Sequence, residues 1–575
     1  MHIFAQRLAK SALTLAIAGL ASQPASAAIL SILHNNDGES RLLGETIDGS
    51  EYAGAARFVT AVNVTRAAAQ ADGRDVITLS SGDNFLAGPA FRASQNDGVF
   101  YDAQVINAIG YDALVLGNHD FDFGPDLLAN FIQATDSGNT FLSANLDFSQ
   151  EAALQALVDS GRIASSKIVT RGAERYGIVA ATTEQLAQIS SPGDVIVNAV
   201  TGAVQAEIDA LEAQGVNKII FASHLQRLDI DVEAISSLSG IDLVVAGGSD
   251  ALLSNDLAPG QTDVFGQEVE GTYPLTRFNA ETGDGFSGAL ITNADGVEVP
   301  VVTTTGEYRY LGRFDVTFDD AGNLASIDAG SGTILINEQF APDTGIVDSV
   351  ITPVSAAIEA LAANVLGTSE VDLNGIRNDV RTQQTNVGAL LTDSYIYAAE
   401  QADAADESIL TGNRTLALTN GGGIRNNNII EAGDITELNT FDIAPFGNFL
   451  SVFNDVDGEQ LKGLLEHTIQ FAPDTAAGQF AQVGGFIFTY DPNATFGERI
   501  TSIVLGDGTT VFANGEFSFD GVFDLVTVDF LARGGDGYPF DALGFGEFEN
   551  IGITYQASLA DYIQFGLDGL ISADL

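Results

Sequence analysis

The chain has 575 residues, with 77 acidic side chains against 23 basic ones, a net charge of −54 and 45% hydrophobic residues. Such a length exceeds what one hydrophobic core organises, so two domains and a connector are expected. The charge repels phosphate backbones and argues against a nucleic-acid polymer as partner, and the lack of cysteine excludes disulfides and thiolate metal sites, leaving nitrogen and oxygen ligands.

The N-terminus reads as an export signal. Arg7 and Lys10 precede the short apolar run "ALTLAIAGLA", and the small residues Ala25 and Ala27 offer a cleavage point, which predicts a signal peptide over 1–27. The run is too short to remain in a bilayer. No later stretch looks transmembrane, so a soluble periplasmic or secreted protein without stable membrane insertion is expected.

From Ile29 onward, short apolar runs of buried-strand type alternate with helical stretches, a pattern of layered α/β structure. The runs are "AILSILHNND", "VITLSSGD", "ALVLGNHD", "FLSAN", "YGIVAAT", "KIIFASH" and "DLVVAGG"; "ARFVTAVNVTRAAAQADG" and "GAVQAEIDALEAQG" have helical spacing. Five runs end in a residue able to bind a metal: Asp37, Asp83, Asn118, His224 and Asp250. Ligands of α/β folds sit beyond the carboxyl ends of strands, so these five are expected to converge. The stretch 348–367 has helical spacing up to Gly367 and reads as a connector helix. A second α/β region follows, with the glycine-rich loops "NGGGIR" and "RGGDGY".

Hydrolysis of a phosphate ester needs neutralisation of the phosphoryl oxygens and a source of hydroxide near neutral pH, and a pair of divalent cations supplies both. In chain order, "LHNNDGES", "SSGDNFLAG", "GNHDFD", "ASHL" and "AGGSD" resemble the calcineurin-like metallophosphatase domain of the 5′-nucleotidase family. The resemblance implies an α/β fold of two domains. A four-layer α/β/β/α metallophosphatase domain would occupy 28–340, a connector helix 341–367 and a nucleotide-binding α/β domain 368–575. By position, Asp37 would bind the first metal, Asp83 would bridge, and Asn118 and His224 would bind the second. His119 with Asp122 would form the dyad that stabilises the transition state.

The chain departs from the family pattern at Glu39, where a histidine is usual, and at Gly248 and Asp250, which replace the two histidines of Gly-His-x-His. With Glu39 and Asp250 as ligands, the first site (Asp37, Glu39, Asp83, Asp250) is all oxygen, which suits Mg, Mn or Ca. The second keeps Asp83, Asn118 and His224 but lacks a ligand at Gly248; Zn is the other candidate there.

In the C-terminal region Arg377, Arg381 and Arg425 lie beside glycine-rich turns, where guanidinium forks and close backbone approach suit an anion. The motifs "GIRNDVRTQQTNVG", "GGGIR", "PFGN" and "GGDGYP" resemble the family's nucleotide-binding domain, and within it the bacterial periplasmic branch that also cleaves UDP-sugars. The resemblance implies that the three arginines hold the anion, Phe446 and Phe530 sandwich the base, Asp536 bonds the ribose and Asn420 contacts the nucleoside. It also implies rotation of one domain against the other about the connector. The expected function is exported, two-metal hydrolysis of nucleoside 5′-monophosphates by metal-activated water, with UDP-sugars or other nucleotides as further substrates. The rival readings are a broad-specificity phosphomonoesterase and a nucleotide-binding protein with a degenerate metal centre.

Overall fold

The computed structural model describes residues 27–405 and 409–573. The predicted signal peptide therefore falls almost wholly outside the described residues.

The N-terminal half is built on two sheets packed face to face. In the first, Ala28–Asn35, Asp75–Ser80, Ala113–Val115 and Phe141–Leu142 run parallel, with Tyr310–Phe318 antiparallel beside the first strand. In the second, Glu174–Thr182, Ile219–His224, Leu243–Gly247 and Val301–Val302 run parallel. Alternation along each strand sorts the side chains. Ile32, Ile77, Leu79 and Val115 face the second sheet, while Leu33, Val76 and Leu114 face an outer helical layer. That layer includes Ala55–Ala71, whose Phe58, Val59 and Val62 are fully buried and whose run ends before Gly73, at φ 80°. On the far side Val200–Ala213 covers the second sheet with Val204, Ile208 and Leu211. The result is the α/β/β/α order expected from the resemblance.

The C-terminal half has its own core. Its central sheet runs in the order Ala481–Gly484, Arg414–Asn420, Phe523–Val528, Phe449–Val456, Glu549–Thr554, and is covered by the helix Asn386–Ala405. A four-stranded sheet beginning at Phe486 lies beside it, with the helix Gly458–Thr468 packed on it. That helix starts with a capping box: the Asp457 carboxylate accepts from the Gln460 N–H at 2.8 Å, and the Gln460 amide oxygen accepts from the Asp457 N–H at 3.0 Å.

The connector needs correction at both ends. The helix runs over Thr344–Ala363, capped by Asp343, and residues 365–369 form a strand paired with Gly433–Thr436. The sequence reading carries the helix on to Gly367 because Val365 and Leu366 continue the apolar spacing. Asn364, at ψ 93°, ends it instead. With a mean hydropathy of 1.6 over its apolar window, this helix is long and apolar enough to cross a bilayer, a feature the sequence reading does not anticipate. The two halves meet closely: a Cβ on Gly447 would lie 2.8 Å from the Phe123 ring, and the Arg92 guanidinium sits 5.7 Å from the Phe441 ring centre.

One buried acid ties the fold to the loop that carries Asp37 and Glu39. Asp102, in the first turn of Tyr101–Ile109, is fully buried and accepts from the Ser40 hydroxyl at 3.0 Å, while its other oxygen has no partner among the described residues. Burial pushes its pKa up to about 7. Between the unfolded value near 3.8 and about 7, the folded chain holds a proton that the unfolded chain releases. This contribution is full below about pH 4 and is lost as pH rises through 7, by up to about 4 kcal/mol. Asp102→Asn removes the dependence, so its melting temperature is expected to rise relative to wild type between pH 5 and pH 8.5. An unchanged difference at the two pH values would mean that Asp102 titrates normally.

Candidate active site

The parallel strands of both sheets deliver their carboxyl ends to one edge. Asp37 lies two residues beyond Asn35, Asp83 three beyond Ser80, Asn118 three beyond Val115 and Asp250 three beyond Gly247; His224 ends its own strand. Asp37, Glu39 and Asp83 all have φ 50°, and Asp250 has φ 53°. Few non-glycine residues adopt this left-handed conformation, and here hydrogen bonds hold it. The Asp37 N–H donates to the Gly82 carbonyl at 3.0 Å, and the Glu39 N–H to the Asp83 carbonyl at 3.1 Å. Glycine is required where the loops touch: a Cβ on Gly117 would lie 2.1 Å from Asp83 Oδ1, and one on Gly82 2.3 Å from His224 Nδ1. Asp250 leads into the short strand Leu252–Leu253 and caps no helix.

The ligand atoms of Asp37, Asp83 and His224 lie within 4.8 Å of one another, as do those of Glu39, Asp83 and His119, so Asp83 belongs to both groups. His224 Nε2 is 3.0 Å from Asp83 Oδ2, 3.9 Å from Asp37 Oδ1 and 3.1 Å from Asn118 Oδ1. Its Nδ1 donates to the Ser81 carbonyl at 2.7 Å, which in the neutral ring aims the Nε2 lone pair at this cluster.

Asp37, Glu39 and Asp83 crowd one another, and the exposed Asp250 adds its charge from the same cavity lining. Burial holds Asp37 well above the ordinary carboxylate range; His224 opposes this, and Asp250, Asp83 and Glu39 reinforce it. Burial and then Asp250 push Glu39 up to about 7, and burial and then Glu307 push Asp250 up to about 6. Asp83 stays below its usual value because His224 and His119 outweigh burial. For His224, burial opposes charging, but Asp83 outweighs it and the pKa reaches about 10. Such a surplus of oxygen donors around one shared, buried carboxylate is the donor chemistry of hard divalent cations, and the residues fit a pair of them.

His119 Nδ1 lies 2.7 Å from Asp122 Oδ2, and the Ser190 hydroxyl donates to Asp122 Oδ1 at 2.9 Å. Burial disfavours the imidazolium, yet Asp122 and Asp83 prevail and push the pKa to about 10. Asp120, one residue on, points the other way. It accepts from the N–H groups of Gly117 and Asn84 at 2.9 and 3.0 Å and from the Asn84 side chain at 2.9 Å, and so braces the loop.

The C-terminal half closes over this cluster, leaving a cavity of about 450 Å³ lined by both. Arg377, Arg381 and Arg425 all line it, and none makes a salt bridge among the described residues of this acid-rich chain. Arg381 is 9% exposed and its Nε has no partner among the described residues. Burial, then Arg377 and Arg425, lower its pKa to about 9. Unpaired, crowded guanidiniums in a cavity are a site for an anion. Phe446 and Phe530 line the same space; the Phe446 ring is 6.3 Å from the His119 ring at an interplanar angle of 13°, and 5.6 Å from the Arg425 guanidinium. The Asn420 amide donates to Asp536 Oδ2 at 2.5 Å, and Asp536 holds φ 51° between glycines.

The candidate metal, dyad and substrate residues all line this cavity except His224, which stands in the wall behind Asp83 and Asn118. Sequence reasoning misses Ser190, Gln226, Asp120 and Asn448. Of these, Asp120 and Asn448 sit in the motifs "GNHDFD" and "PFGN", which could have drawn attention to them.

Residues 365–543 match the family "5'-nucleotidase, C-terminal domain". Over 524 residues the chain is 30% identical to the 5'-nucleotidase of Bos taurus, covering 88% of this chain and 84% of that one. The Homo sapiens 5'-nucleotidase is likewise 30% identical over 546 residues, 92% of this chain and 87% of that one. A solved structure, the 5'-nucleotidase precursor from Thermus thermophilus, superposes with a TM-score of 0.72 at 28% identity, over 94% of this chain and 97% of that one. Relatedness along almost the whole described chain, together with a cavity that joins an acid–imidazole cluster to unpaired arginines, places this chain in the 5'-nucleotidase family of phosphoric monoester hydrolases.

Proposed function

We propose that the protein is an exported, metal-dependent hydrolase of nucleoside 5′-monophosphates. The observation that supports this reading is one cavity with an acid–imidazole cluster at one wall and three arginines without salt bridges among the described residues at the other. Its lobes are residues 28–340 and 368–575, with the helix Thr344–Ala363 as the hinge between them. Export rests on the sequence pattern of residues 1–27.

Asp37, Glu39, Asp83 and Asp250 would hold one divalent cation, and Asp83, Asn118 and His224 the other. When bound, the two ions would neutralise phosphoryl oxygens and lower the pKa of water. The chain's own groups do the rest. Arg377, Arg381 and Arg425 bind the substrate anion and draw it into a cavity that the net charge would otherwise close to it. Phe446 and Phe530 orient the base, and Asp536, held by Asn420, takes the ribose hydroxyls. His119, protonated at Nε2 and oriented by Asp122, donates to the phosphoryl oxygen or the leaving 5′-oxygen as the P–O bond breaks. Ser190 fixes Asp122 in turn.

The test is phosphate release from AMP by EDTA-stripped protein re-supplied separately with Mg²⁺, Mn²⁺, Ca²⁺ and Zn²⁺. Turnover is expected with at least Mn²⁺ or Mg²⁺. Tight AMP binding without turnover by any ion would favour the second reading, a nucleotide-binding protein, which Gly248 motivates. A rival phosphomonoesterase reading is separated by the double variant Phe446→Ala, Phe530→Ala. Base stacking contributes about 1–3 kcal/mol per base, so KM for AMP is expected to rise roughly 10-fold or more while a small aryl phosphate is little affected. Equal losses on both substrates would exclude stacking.

A further inference from the structure

The second cation site lacks an imidazole at Gly248, and another side chain already fills the space that residue 248 would use. A Cβ on Gly248, at φ 80°, would lie 2.8 Å from the side-chain nitrogen of Gln226 and 2.9 Å from His224 Nε2. The Gln226 amide touches Asn118 Oδ1, which itself lies 3.1 Å from His224 Nε2. Gln226 is two residues beyond His224, lines the cavity and has φ 76°, a conformation rare for a residue with a side chain. Leu225, at 1% exposed, anchors the turn in the core and so sends the neighbouring Gln226 back over the site.

We propose that Gln226 is the fourth ligand of the second cation site, its amide oxygen standing in for the imidazole that Gly248 does not supply. This rests on the two-cation reading above. A half-turn about the Cγ–Cδ bond exchanges the amide nitrogen and oxygen with almost no change of shape, so the carbonyl oxygen reaches the same point. The set then becomes Asp83, Asn118, His224 and Gln226, one nitrogen among oxygens, which shifts preference from Zn²⁺ toward Mn²⁺ or Mg²⁺. Glycine at 248 is part of the same arrangement, since any Cβ there would displace the amide.

The test is equilibrium dialysis of the full chain with Mn²⁺ and with Zn²⁺, without substrate. Wild type is expected to bind two Mn²⁺ per chain. Gln226→Leu, similar in volume but without the oxygen, is expected to bind the first as before and the second about 10–100-fold more weakly. Gln226→Glu keeps an oxygen and is expected to retain both. Gln226→His is expected to move the second site toward Zn²⁺, which a merely packing role would not do. Two Mn²⁺ bound by wild type and equally tightly by Gln226→Leu would overturn the assignment and leave the two-cation reading intact. Fewer than two ions on wild type would overturn that reading, and the assignment with it. Melting curves identify a variant that fails to fold, and the Gln226→Glu and Gln226→His results then decide.

Discussion

Asp83→Asn is expected to lower phosphate release from AMP at least about 10²-fold with every ion, the scale on which a transition-state electrostatic group is lost. Asp83 is the one carboxylate common to both ligand groups. Its Oδ1 also accepts from the His119 N–H at 2.8 Å and its Oδ2 faces His224 at 3.0 Å, so a neutral amide weakens the cation sites and the dyad loop together. AMP binding is expected to survive, because the arginines and aromatic rings are untouched. A variant that keeps turnover within a few-fold of wild type would show that Asp83 does not bridge. The same conclusion would follow if it lost AMP binding and turnover in equal measure.

Arg381→Met is expected to weaken AMP binding by roughly 30-fold or more, since removing one member of a desolvated charge pair costs about 2 kcal/mol or more. The free protein should respond in the opposite sense. Arg381 is buried, has an unpartnered Nε and is crowded by Arg377 and Arg425, so without a ligand it is a strained cation. Replacing it with an apolar side chain of similar length relieves that strain, and the melting temperature is expected to rise by about 2–4 °C for each kcal/mol relieved. Wild type, in turn, should gain more stability from AMP than the variant does. A variant that melts lower and still binds AMP normally would make Arg381 a structural residue.

The strand-end cluster was legible because each of its residues follows a short apolar run of buried-strand type. "ILSILHNND" and "VITLSSGD" carry Asp37 and Asp83 out of the core at fixed places, and parallel pairing brings those places to one edge. The aromatic and arginine motifs were legible through their glycines. What escaped depends on backbone turns that no periodicity encodes. Gln226 reaches the site only because its φ is 76°, and Ser190 meets Asp122 across 68 positions of chain. The connector escaped at its end for a related reason: an apolar helix and an apolar strand abut at Asn364, and only pairing with Gly433–Thr436 separates them.

The most direct measurement is anomalous diffraction from crystals soaked in Mn²⁺ with a non-hydrolysable AMP analogue. The account predicts two peaks per chain, one among Asp37, Glu39, Asp83 and Asp250 and one beside Asp83, Asn118 and His224, with the base between Phe446 and Phe530. A single peak or none in this cluster, or a nucleotide bound away from those rings, would contradict it.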